Sequence, residues 1–172
     1  MLKFLANSKL LIISTSITVL MFIVVMFFAN PQIDGNNGLG VLQLQVAFDK
    51  ELGIEIVKSW GVNGTKEFKA LIFTDYLYAL SYTLTLSSLL ASLIYTKNLQ
   101  NSAYRLSIYL IFLAGFMDIL ENSMELAFLT DMQKYSDTLF FIHSLVSSLK
   151  WLILPLIFTT IVVLILKKKE NI

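Results

Sequence analysis

Four long apolar runs constrain this sequence more than any other feature, at about residues 10–28, 71–95, 106–128 and 138–166. A helix needs roughly 20 apolar residues to cross about 30 Å of hydrocarbon, and each run is near or above that length. The rest of the chain is too short to solvate them. Only 15% of residues are charged and 56% are hydrophobic, against about 25% charged in soluble domains. The expectation is an all-α, integral-membrane four-helix bundle that forms one domain over residues 1–172.

The first run follows Lys3 and Lys9, as the core of a signal peptide would. Its apolar core is too long, and Phe27-Phe28-Ala29-Asn30 lacks the small-x-small cleavage pattern. It reads as a retained span. The fourth run is the longest, which favours tilt, and Pro155 is a candidate kink.

Basic residues set the expected orientation. Lys3, Lys9, Lys97, Arg105 and the Lys167-Lys168-Lys169 triplet fall on one side, where Glu170 is the only acid. On the other side the lysines are interspersed with Asp34, Asp49, Glu51, Glu55, Glu67, Asp131 and Asp137. The basic side is expected to be cytoplasmic, with both termini inside a cell membrane such as a bacterial inner membrane. Membrane lipids are the expected surroundings, and the lysine triplet reads as a topology anchor. The net charge of +1 gives no reason to expect nucleic acid.

The external segment, residues 29–70, divides in two. Pro31 to Gly40 is turn-rich. From about Leu42 to Lys58, Leu44, Phe48, Leu52 and Ile56 recur every four residues, with Asp49, Glu51 and Glu55 off that stripe. The spacing predicts an amphipathic helix ending near Gly61, although Leu42 to Phe48 also alternates like a strand. Trp60 would suit the bilayer interface.

The informative residues are the ionisable ones at membrane depth. Each costs about 2.5–3.5 kcal/mol at mid-helix for Asp, Lys or Arg, so they are rarely idle. The second run carries Asp75, Tyr78 and Tyr82 on one helix face. The third carries Asp118, Glu121, Asn122 and Glu125, and the fourth carries His143 and Lys150 with Ser147 between them. Counted at about 1.5 Å per residue from the outer ends, Asp118 and Lys150 both lie roughly 17–18 Å deep. Equal depth on consecutive antiparallel spans predicts an Asp118–Lys150 pair, since an unpaired charge there is too costly. One level further out, His143 is within reach of Glu125, Glu121 or Asp75. Together these nine residues define an expected outward-facing polar pocket.

Several chemistries are disfavoured. The chain has no cysteine and one histidine, which argues against a zinc site of the usual ligand set. An all-carboxylate site from Asp75, Asp118, Glu121 and Glu125 lacks a diagnostic spacing. The paired Glu-x-x-His of di-iron bundles is absent, as are phosphate loops, serine-hydrolase elbows and His-Glu-x-x-His. No metal and no cofactor is expected.

The run Phe48-Asp49, Ser59-Trp60-Gly61, Asp75 and Tyr82, Asp118-Ile119-Leu120-Glu121-Asn122 and Lys150-Trp151 resembles a group of small bacterial four-span membrane proteins. That group combines a Trp-Gly before the second span, an early aspartate within it, an Asp-x-x-Glu-Asn in the third and a Lys-Trp in the fourth. The resemblance covers about residues 48–151 and implies a four-helix membrane fold. It implies no activity.

Three functional readings stay open at this level. The pocket serves small-molecule or ion binding, or transport; or it is an intramembrane acid–base enzyme acting on a lipid-like substrate; or the charges fix helix register in a structural or accessory subunit. Four helices are few for a transporter, and a homo-oligomer or a partner membrane protein would make up the deficit.

Overall fold

The computed structural model describes residues 1–28, 40–100 and 102–167. The turn-rich stretch 31–39 and the lysines at 168 and 169 lie outside the described residues. Among those described, the chain is helical and contains no strand. The elements are α1 (Leu2–Leu5), α2 (Ser8–Phe28), α3 (Gly40–Gln45), α4 (Lys50–Ser59), α5 (Gly61–Thr96), α6 (Leu106–Thr130) and α7 (Asp137–Leu166). Four of them, α2, α5, α6 and α7, are long and apolar enough to cross a membrane. The protein is a multi-pass, all-α membrane bundle.

Each long helix packs on its sequence neighbour, α2 on α5, α5 on α6 and α6 on α7. Small residues set one of these spacings. A Cβ on Gly115 of α6 would collide with the Thr83 hydroxyl of α5 and lie 3.1 Å from the Thr83 Cβ, so the two backbones approach closely there. Hydrogen bonds across the helices hold the register: Tyr76 to Ser123 at 2.8 Å between α5 and α6, and Thr18 to Thr85 at 2.9 Å between α2 and α5. Pro155 lies inside α7, which continues through it to Leu166.

Two apolar clusters close the ends of the bundle. At the end holding α1 and the last turns of α7, Leu5, Leu90, Ile94, Ile111, Ile157 and Leu164 are buried together. At the other end, Leu44, Ile54, Val57, Trp60, Phe128 and Phe140 form a second cluster. The polar residues of α5, α6 and α7 occupy the layer between them.

The segment before α5 differs from a single helix with one stripe. It contains two short helices, α3 and α4, because Phe48 takes a left-handed backbone (φ 54°) and breaks the run. That conformation is unfavourable for a bulky residue. It is held by the Phe48 N–H donating to Ser144 Oγ at 3.1 Å and by an edge contact with Phe141 at 5.5 Å. Asp49 then caps α4, accepting from the Leu52 N–H at 2.9 Å. The break rotates the inward face: Ile54 and Val57 are buried, whereas Phe48 and Leu52 are exposed. Trp60 is buried on Phe68, edge to face at 5.0 Å. The chain turns at Gly61 (φ +68°), a left-handed position that suits glycine, and α5 begins there rather than near residue 71.

Candidate functional site

A cavity of about 700 Å³ opens between α2 and α7, over α5 and α6, with α3 across one end. Most of its wall is apolar, including Val25, Met26, Ile72, Leu154 and Phe158. The polar part is concentrated on one side, where Asp75, Asp118, Asn122, Glu125 and Lys150 line it. Tyr78 and Tyr82 line it as well, with ring centroids 5.5 Å apart.

The charged groups are joined in four contacts. Lys150 Nζ donates to Asp118 Oδ1 at 2.6 Å, and the same ammonium stands 2.7 Å from Glu121 Oε2. Asn122 Nδ2 donates to Asp75 Oδ2 at 2.8 Å, linking α6 to α5. His143 Nε2 lies 3.4 Å from Glu125 Oε1, linking α7 to α6. The depth matching of the sequence thus corresponds to a real ion pair between α6 and α7. It did not foresee that Lys150 is shared between two carboxylates.

Glu121 and His143 do not line the cavity. They lie behind its polar wall, Glu121 at 0% and His143 at 2% relative exposure. Three of their atoms, both carboxylate oxygens of Glu121 and His143 Nδ1, are buried without a hydrogen-bond partner among the described residues, although Glu121 Oε2 is ion-paired with Lys150. One oxygen of Glu121, one of Glu125 and a ring nitrogen of His143 lie within 4.8 Å of one another. Four carboxylates therefore share this layer with one ammonium and one imidazole.

Two further residues line the cavity outside the expected pocket: Trp151, noted in the sequence only within the Lys-Trp motif, and Gln45. Gln45 of α3 accepts from Trp151 Nε1 at 3.1 Å, and its side chain also reaches Glu125. A buried glutamine in an apolar stretch was the available hint, but a partner 106 residues away lies beyond any periodicity.

Compared with family models, with curated proteins and with solved structures, the chain matches none.

Proposed function

We propose that this protein binds a membrane-dissolved amphiphile carrying a protonated amine, held in the cleft between α2 and α7. One observation carries the reading: three carboxylates and a single ammonium face one side of an otherwise apolar cavity. Such a wall favours a ligand with a cationic, hydrogen-donating head and an apolar body. Binding fits better than conduction. Among the described residues, the buried apolar cluster of Leu90, Ile94, Ile111, Ile157 and Leu164 fills the bundle between the carboxylates and the end that holds α1.

In this reading the basic end of the bundle faces the cytoplasm and the cleft sits toward the outer half of a bacterial inner membrane. Of the motif residues named in the sequence, Asp75, Tyr82, Asp118, Asn122, Lys150 and Trp151 line the cavity. Because the chain has no cysteine, single cysteines at Lys97 and Lys134 give a clean test of sidedness with an impermeant thiol reagent. Labelling from outside is expected at residue 134 only.

The ligand class is tested with Trp151, which lines the cavity and is one of two tryptophans. In a Trp60→Phe background, dodecylammonium is titrated against dodecanol and dodecanoate while the remaining indole emission is followed. A saturable response to the amine, at least tenfold tighter than to either other chain and weakened by Asp75→Asn, is expected. Equal responses to all three, or none, would sink the proposal.

A second reading, acid–base chemistry on a lipid-like substrate, is favoured by the His143–Glu125 contact beside the cavity wall. It requires turnover: a membrane lipid extract incubated with the protein would lose one species and gain another by mass spectrometry.

A further inference from the structure

Behind the cavity wall, Glu121 and Glu125 are separated by four residues and so project from the same face of α6, while His143 reaches them from α7. We propose that these three side chains form a site for one divalent transition-metal ion of the zinc, cobalt, manganese or iron(II) class. This goes beyond the amine reading and does not depend on it.

The separations suit an ion. Two ligands of one metal, with bonds of about 2.0–2.2 Å, stand no more than about 4.4 Å apart. The three donor atoms lie within 4.8 Å of one another, so small rotamer adjustments bring them into range. One of these approaches, His143 Nε2 to Glu125 Oε1, is 3.4 Å. That is long for a hydrogen bond. It equals the edge of a tetrahedron whose bonds are about 2.0–2.1 Å.

The orphan atom points the same way. Glu121 is fully buried; its Oε2 is ion-paired with Lys150 at 2.7 Å, neither oxygen makes a hydrogen bond among the described residues, and Oε1 has no ion pair either. A buried carboxylate oxygen left without a partner calls for a bound species. With one oxygen fixed by an ammonium, the other is oriented as an outer-sphere partner orients a metal ligand. Charge adds a third argument. Asp75, Asp118, Glu121 and Glu125 face one ammonium in an apolar layer, and a dication offsets two of the excess negative charges. An imidazole alongside two carboxylates selects a transition metal over magnesium or calcium.

The sequence reading expected no metal because it looked for several histidines or cysteines. The mixed set only becomes visible when α6 and α7 are docked.

The test uses the intact protein, purified in detergent on a tag without histidine and stripped with a chelator. Co2+ is then titrated while the visible ligand-field bands are recorded, and Zn2+ is added to displace it. One equivalent of Co2+, displaced by Zn2+, is expected. Glu125→Gln and His143→Gln are expected to weaken binding at least tenfold, and Glu55→Gln, at an exposed carboxylate, to leave it unchanged. The chain has a single histidine, so nitrogen coupling in the spin-echo spectrum of bound Cu2+ reports His143 in the wild-type protein itself. No saturable uptake, no nitrogen coupling, or wild-type affinity in His143→Gln would overturn the assignment.

Discussion

Lys150 Nζ stands 2.6 Å from Asp118 Oδ1 and 2.7 Å from Glu121 Oε2, so one ammonium is shared by two carboxylates on successive turns of α6. The pairing is asymmetric. Loss of either carboxylate leaves Lys150 with a partner, but loss of Lys150 strands both.

That asymmetry predicts the order of stabilities. Lys150→Met is expected to destabilise by about 3–5 kcal/mol, the cost of breaking a buried pair, and Asp118→Asn by clearly less. The double variant recovers only part of the loss, since Glu121 stays unpaired. Adding Glu121→Gln is expected to restore a near wild-type melting temperature in detergent. Equal melting temperatures in all four proteins would mean that the pair contributes nothing to the fold.

The α5–α6 spacing predicts a second outcome. Gly115→Ala forces its new methyl group into the Thr83 side chain and is expected to cost about 1–3 kcal/mol. Combining it with Thr83→Ala should recover most of that cost, because the obstruction is one side chain. A double variant no more stable than Gly115→Ala alone would place the strain elsewhere in the backbone.

A third prediction concerns pH. Lys50 on α4 pairs with Asp137 at the start of α7 at 2.6 Å, and this hydrogen-bonded carboxylate raises the ammonium above its ordinary range. A raised folded value means the tether is fully present at neutral pH and disappears only as pH climbs through that value, above about 10.4. Stability from pH 7 to 9 is therefore expected to be flat with respect to this pair. Lys50→Met should alter the wild-type profile only on the alkaline side. A difference in slope near neutrality would contradict the assignment.

Much of the architecture was legible in the sequence because the bilayer imposes a length and an apolar content on each span. The Asp118–Lys150 pair was legible for a related reason: rise per residue converts position into depth, and opposite charges at one depth seek each other. Depth fixes height but not neighbours. The sharing of Lys150 with Glu121, the Asn122–Asp75 bond and the arrival of Gln45 from α3 depend on helix rotation and on contacts far apart in the chain. The break at Phe48 was hidden because α3 and α4 each continue a plausible apolar spacing. Only the contacts to Ser144 and Phe141 on α7 make the left-handed turn tolerable.

The close approach of Gly115 to Thr83 has a mechanical consequence. Joined by the Tyr76–Ser123 and Asn122–Asp75 bonds, α5 and α6 behave as one rigid plate, and Lys150 rivets α7 to it. α2 rests on that plate through Thr18 and Thr85, and most of its surface faces outward. α2 therefore forms one wall of the cavity, facing the charged wall across it. For the proposed amphiphile, that outward-facing wall is the one expected to shift with the bulk of the apolar body, while the hydrogen-bonded charged wall keeps its geometry.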